Sequence, residues 1–247
     1  MTNGLLLLHA FPVDASMWKP QLAAIRGELA VVAPNFPGFG DAPLAGEVST
    51  MDEAAEVAAA EVAAAGLDRV VVCGLSMGGY VAFAFRRKFR DRVAGLVLAN
   101  TRAGADDEAG RERRRALAQR LRAEGNEFLV ESPPPLLSSE APAELWNHVK
   151  SIIATQSAEA IAAASLGMAE RPDSTADLPG IDVPTLVITS SADTLIPPDA
   201  TSPMADAIPR ADLEVIERAG HLSSLEAPQE FNRLLRNLLV RCGVLYG

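Results

Sequence analysis

The 247-residue sequence is poor in cysteine, histidine, lysine and aromatic residues. It has two cysteines, three histidines and only three lysines (Lys19, Lys88 and Lys150), with 5% Phe, Trp and Tyr. Cys73 and Cys242 cannot build a disulfide framework or a metal finger, which points to a reducing cytoplasm. Three scattered histidines build no zinc site, and neither H-E-x-x-H nor H-x-H-x-D-H occurs, so no metal or other cofactor is expected. No stretch of about 18 or more uncharged apolar residues exists, so no membrane span is expected. The opening Met1-Thr2-Asn3-Gly4-Leu5-Leu6-Leu7-Leu8 lacks the basic start, the apolar length and the small-x-small cleavage site of a secretion signal. Basic charge is short too: 22 Lys and Arg stand against 32 Asp and Glu, a net charge of −10. That balance argues against a nucleic-acid partner, because such binding rests on clustered Lys and Arg set against phosphates.

What is present reads as an ordinary globular chain, 49% hydrophobic and 22% charged. A chain this long buries a core without staples. Four short apolar runs, 4–8, 30–33, 70–73 and 93–99, read as buried parallel strands covered on both faces, followed by 185–188 after Pro184 and by 213–216. Helical patterns alternate with them: 50–65, capped by Ser49 or Thr50 and ended by Gly66, then 79–89, and finally 228–239. The alternation predicts an α/β protein with a mostly parallel sheet flanked by helices. From about 101 to 178 the rhythm breaks. A charged helix at 111–124, a Pro133-Pro134-Pro135 break and helices at 143–155 and 158–168 read as an all-helical insertion between two strands. The Arg111, Arg113-Arg114-Arg115 cluster reads as a solvated helix face rather than an anion site, because Asp106, Asp107, Glu108 and Glu112 neighbour it.

The chemistry is concentrated in Gly74-Leu75-Ser76-Met77-Gly78, a G-x-S-x-G placed after an apolar strand and before a helix. The strand-to-helix turn is so tight that side chains two residues either side of the serine would collide, and Gly74 and Gly78 relieve that crowding. A serine hydroxyl needs a base oriented by a third group. His148 lies inside the helical insertion, whereas His9 and His221 both occupy loop positions after strands. Chain order decides between them, since the order in this pattern is Ser, then Asp or Glu, then His. His221, in Ala219-Gly220-His221-Leu222, is therefore the base. Asp193, beyond the strand that runs into Thr189-Ser190-Ser191-Ala192, is the acid. The strand at 93–99 ends in Asn100 and Thr101 and offers no carboxylate. Acyl transfer also needs N–H donors at the oxyanion. Met77 supplies one amide, and Phe11, in His9-Ala10-Phe11-Pro12, the second.

These residues resemble the α/β-hydrolase fold superfamily, in the branch with a helical cap. The matching stretches are His9-Ala10-Phe11-Pro12 with Met17-Trp18 and Gln21, Pro37-Gly38-Phe39-Gly40-Asp41, Gly74 to Gly79, Val183-Pro184-Thr185-Leu186 running to Asp193, and Gly220 to Pro228. The resemblance implies a core of residues 1–101 and 179–247 and a cap of 102–178. It also implies a triad of Ser76, Asp193 and His221 with Phe11 and Met77 as oxyanion amides. The Met17-Trp18…Gln21 and His221…Glu226 stretches resemble 3-oxoadipate enol-lactonases and small carboxylesterases. Relatives usually carry His-Gly where this chain has His9-Ala10. They also carry about 20 residues before the first strand, which form an antiparallel hairpin. Here the strand begins at residue 4, so either the hairpin is lost or the true start lies upstream of Met1; if it is lost, an exposed edge strand can pair with another subunit, so a homo-oligomer is among the expectations.

The expected activity is cleavage of a small-molecule ester or lactone through an acyl-enzyme. C–C hydrolysis, perhydrolysis and thioester hydrolysis share the same serine chemistry and stay open. So does a ligand-binding or signalling protein that keeps the fold without turnover. Trp146, Leu136, Leu137, Met168 and Arg102 are the candidate pocket residues. The acidity is concentrated in 132–247, with 15 acidic against seven basic residues. It predicts a neutral substrate over an anionic one, unless cap arginines such as Arg102 face the pocket.

Overall fold

The computed structural model describes residues 1–245. Its centre is a six-stranded sheet in which every pairing is parallel, made from β1 (Asn3–Leu8), β2 (Ala30–Val32), β3 (Arg69–Leu75), β4 (Val93–Ala99), β5 (Thr185–Ser190) and β6 (Ala211–Ile216). The order across the sheet is β2-β1-β3-β4-β5-β6. Leu5 to Leu8 are fully buried on both faces of β1, which is why that strand reads as an unbroken leucine run. The expectation that all six strands are covered on both faces is corrected at the rims. β6 leaves Leu213 and Val215 exposed, and β2, only three residues long, is half-exposed, because each is an edge strand with one neighbour. β1 itself lies inside the sheet between β2 and β3.

Three long helices match the alternating pattern. α2 (Met51–Ala64) starts at a capping box in which Thr50 Oγ1 accepts from Glu53 N and Glu53 accepts from Thr50 N. α3 (Met77–Lys88) follows β3 without a loop residue other than Ser76. α8 (Pro228–Arg241) buries Phe231, Leu234, Leu235, Leu238 and Leu239, a stripe at i, i+3, i+4, i+7 and i+8. Each such side chain contributes about 1.5–3 kcal/mol when taken from water. A 3-10 turn at Ala15–Trp18 and the short α1 (Lys19–Ile25) are additional to the sequence reading. Seven residues with Pro20 in the first turn are too few to show a helical period, and the turn is held by Trp18 packing against Phe231.

Between β4 and β5 the chain makes helices and no strand: α4 (Glu108–Glu124), α5 (Glu127–Glu131), α6 (Ala143–Ala154) and α7 (Ala158–Ala169), then a 3-10 turn at Thr175–Gly180. α7 presents mostly Ala, Ser and Gly, so it approaches its neighbours closely. A Cβ on Gly167 would sit 1.7 Å from the Ser49 carbonyl oxygen. Among the described residues no single helix is long and apolar enough to cross a membrane, and the apolar pair α6–α7 bends by 94° between its members.

Candidate active site

The parallel registers bring the carboxyl ends of β1, β3, β4 and β5 to one edge, with Leu8 beside Gly74, Leu75 beside Ala99 and Ala99 beside Ile188. Residues that follow these strands therefore meet although they are distant in the chain, as Asn100 and Asp193 do across 93 positions. Ser76 stands in the turn with φ 57° and ψ −115°, a left-handed conformation that costs a non-glycine residue about 1–3 kcal/mol. The turn is held by Ser76 N donating to Ala99 O (2.9 Å) and by Thr101 Oγ1 donating to Ser76 O (2.8 Å). The two glycines are required by space. A Cβ on Gly74 would lie 2.2 Å from the Gly78 carbonyl oxygen, and one on Gly78 would lie 2.0 Å from that of Leu8. Met77 is the first residue of α3, where the N–H has no acceptor within the helix and the helix dipole favours negative charge.

Asp193 and His221 form a buried pair, with His221 Nδ1 2.9 Å from Asp193 Oδ2. Oδ2 also accepts from Asn100 Nδ2 (2.9 Å), and Oδ1 accepts from the amides of Leu195 and Ile196 (both 2.9 Å). Burial opposes the Asp193 charge. The His221 bond and these further donors outweigh it and hold the carboxyl below the usual carboxylate range. The carboxylate orients the imidazole through Nδ1 and leaves Nε2 as the free nitrogen. Nε2 is buried and has no hydrogen-bond partner among the described residues. The His221 loop is clamped from outside by Glu226, which accepts from Gly220 N (2.8 Å), from Ser138 N (3.0 Å) and from the Ser138 hydroxyl.

The other two histidines are placed elsewhere. His9 is fully buried and accepts from Phe36 N at Nε2 (3.0 Å), so the proton sits on Nδ1 and is donated to Ala10 O (3.0 Å). Burial lowers its pKa to about 4, and both nitrogens are engaged in holding the backbone. His148 is exposed on α6. Burial raises the Cys73 thiol and pushes Cys242 up to about 11, so neither supplies a thiolate near neutral pH. Among the described residues no three His, Cys, Asp or Glu side chains converge on a metal-sized site.

Ser76 opens on a cavity of about 350 Å³ whose walls include Phe11, Tyr80, Pro134, Met168, Leu195 and Ile196. Arg102, Asp106, Gly110, Arg113, Arg114 and Leu117 complete it. Of the predicted pocket residues, Met168 and Arg102 line it. Leu136, Leu137 and Trp146 are corrections, since all three are spent on packing. Leu136 O accepts from Leu222 N (2.8 Å), and Leu137 lies against Gly220, so both seat the His221 loop. Trp146 continues the apolar stripe of α6 with Val149, Ile152 and Ile153. The arginine cluster is also corrected. Arg111 and Arg115 pair outward with Glu108 and Glu112, but Arg113 and Arg114 turn to the cavity. Gly110, Arg113, Arg114 and Leu117 share one helix face at i, i+3, i+4 and i+7, but α4 carries charge on nearly every face, so the spacing alone does not mark that face as the inward one. Asn100 was visible only as a missing carboxylate, and its role as a donor to Asp193 needed the contact itself.

Comparison with known proteins places the family and the fold. Residues 5–234 match the family described as the alpha/beta hydrolase family. The chain is 25% identical to a pimeloyl-[acyl-carrier protein] methyl ester esterase of Aeromonas hydrophila, over 95% of this chain and 94% of that protein. It is 28% identical to 3-oxoadipate enol-lactonase 1 of Acinetobacter baylyi, over 92% of this chain and 85% of that protein. Among solved structures, a thermophilic esterase from Thermogutta terrifontis in a malate-bound form is 41% identical. It superposes with a TM-score of 0.93 over 98% of this chain and 92% of its own.

Proposed function

The chain belongs to the α/β-hydrolase family and is a hydrolase, and from that premise we propose that it cleaves small carboxylic esters or lactones through Ser76, His221 and Asp193. The observation that carries the reading is the strained Ser76 turn at the cavity, set on the same sheet edge as a buried Asp193–His221 pair whose Nε2 is uncommitted. The named relatives, two esterases and an enol-lactonase, supply the substrate class.

In the first step His221 Nε2 takes the Ser76 proton as Oγ bonds to the substrate carbonyl carbon. The oxyanion faces the amides of Met77 and Phe11. The C–O bond to the leaving alcohol breaks, and the imidazolium returns its proton to that oxygen. Water then adds to the acyl-enzyme, gives its proton to His221, and the collapse releases the acid and restores the Ser76 hydroxyl. Asp193, held ionised, stabilises the imidazolium formed in each half. Loss of an oxyanion donor typically costs about 10²–10³ in turnover.

A fluorophosphonate probe should label the wild type and not Ser76→Ala, and the variant should lose p-nitrophenyl acetate turnover by about a thousandfold or more. Folded wild-type protein that takes no label at Ser76 would overturn the assignment.

A further inference from the structure

The charge of the cavity is opposite to that of the molecule. The chain carries −10, yet the cavity that holds Ser76 is lined by Arg102, Arg113 and Arg114 against a single acid, Asp106. That acid is already spent. It is buried and accepts from Arg102, from Arg114 and from the buried Arg171, whose Nη1 is 2.8 Å from Oδ2. Burial opposes the Asp106 charge, and the bonds from Arg171 and Arg114 outweigh that penalty, so it stays ionised and satisfied within the wall. Three guanidinium groups around one carboxylate leave an excess of positive charge facing the cavity.

Arg113 is the cation left over. It makes no ion pair among the described residues, while Arg111 and Arg115 on the same helix are paired with Glu108 and Glu112. It lies on the face of α4 that reaches the cavity, beside Gly110, Arg114 and Leu117. Arg102 gives one terminal nitrogen to Asp106, but its side chain remains 39% exposed. A guanidinium at a partly enclosed wall matches a carboxylate in charge and in its forked geometry. The rest of the lining, Phe11, Pro134, Leu117, Met168, Leu195 and Ile196, suits a short hydrocarbon chain between that carboxylate and the scissile carbonyl. The volume is at the small end of ligand cavities, which run from roughly 300 to 1,000 Å³.

We propose, resting on the ester-hydrolase reading above, that the substrates are short-chain esters or lactones bearing a free carboxylate, which Arg113 and Arg102 bind at the α4 wall of the cavity. The overall acidity then does not select against anions, because the field inside a narrow site is set by the groups that line it.

The test compares methyl hydrogen succinate, glutarate and adipate with methyl butanoate, pentanoate and hexanoate by proton release at neutral pH. The variants are Arg113→Gln and Arg111→Gln, which remove the same charge from the two faces of one helix. For at least one chain length the wild type should favour the hemiester in kcat/KM by about tenfold to a hundredfold. Arg113→Gln should bring that ratio close to one, mainly through KM, and 0.5 M NaCl should reduce it in the wild type. Arg111→Gln should keep the ratio, and among the described residues Arg113 has no ion-pair partner whose loss would unfold the variant. In protein that labels at Ser76, a ratio at or below one for all three chain lengths overturns the carboxylate proposal alone, as does an equal fall in both variants. Protein that does not label at Ser76 overturns the hydrolase reading and this proposal with it.

Discussion

Asn100 is a residue whose importance lies in three bonds at once. At the end of β4, with φ 46°, it donates to Ser190 Oγ (3.0 Å) and Asp193 Oδ2 (2.9 Å) and accepts from Ser223 Oγ (2.7 Å). Asn tolerates the left-handed region because its short polar side chain bonds locally. Here its side chain also joins the loop that holds Asp193 to the helix that follows His221. Asn100→Ala removes one of the four donors to Asp193 and leaves two buried hydroxyls short of a partner. The expected result is a kcat about 10–100-fold lower, by analogy with groups that orient a reactive side chain from behind. A loss of about 1–3 kcal/mol in stability should accompany it. Steady-state kinetics with p-nitrophenyl acetate and urea unfolding check the two effects separately.

At the scale of elements, the helical segment between β4 and β5 is anchored to the sheet core by Arg171. Its guanidinium donates to Met168 O (2.9 Å), Gly104 O (3.0 Å) and Asp106 Oδ1 (3.0 Å), and it stacks on the Tyr80 ring of α3 at 4.1 Å. One side chain thus ties the end of α7 to the approach to α4 and to the helix behind Ser76. Arg171→Met keeps the volume but leaves Asp106 and two carbonyls with fewer partners. It should lower stability by about 3 kcal/mol, as removal of one member of a buried ion pair does, read as a shift in the urea midpoint. Helix existence was legible here: α4, α6 and α7 fall close to the sequence positions expected of them, with α4 starting three residues earlier because Asp107 caps it by accepting from Gly110 N. Orientation was not legible. α4 is charged nearly all round, so its period does not announce which arginines face inward, and the small-residue surface of α7 decides that by how closely it packs.

For the whole molecule, acid stability turns on His9. Its folded pKa of about 4 lies below the unfolded value of about 6.5, because charging it would bury a cation and break the bond from Phe36 N. Above pH 6.5 it is neutral in both states and contributes no pH dependence. As pH falls from 6.5 toward 4 the unfolded chain takes up a proton that the folded one refuses, so stability falls with pH by about 2–3 kcal/mol by pH 4.5. Asp193 and Asp106, held low by their donors, add to the loss mainly below about pH 4. Urea unfolding at pH 7 and pH 4.5 should therefore show a much smaller drop for His9→Gln than for the wild type. An equal drop would place the acid sensitivity elsewhere.

The strand–helix alternation, the Gly74-x-Ser76-x-Gly78 turn and the order Ser76, Asp193, His221 could be read directly along the chain. These rest on short-range sterics and on a two-face apolar pattern, both written in neighbouring residues. The nearest thing to a failure at that level was at the two rims, where β2 and β6 read as covered on both faces although each has only one neighbouring strand. What surrounds the serine came from packing between segments distant in the chain. The fold assigned Leu136, Leu137 and Trp146 to packing, made Asn100 and Glu226 supports of the Asp193–His221 pair, and turned Arg113 and Arg114 to the cavity while Arg111 and Arg115 faced their own glutamates. The physical reason is that net charge sums over the chain without regard to place. The potential at a reacting carbonyl depends on the few groups within a Debye length of about 10 Å, and which groups those are is set by how α4 lies on α7.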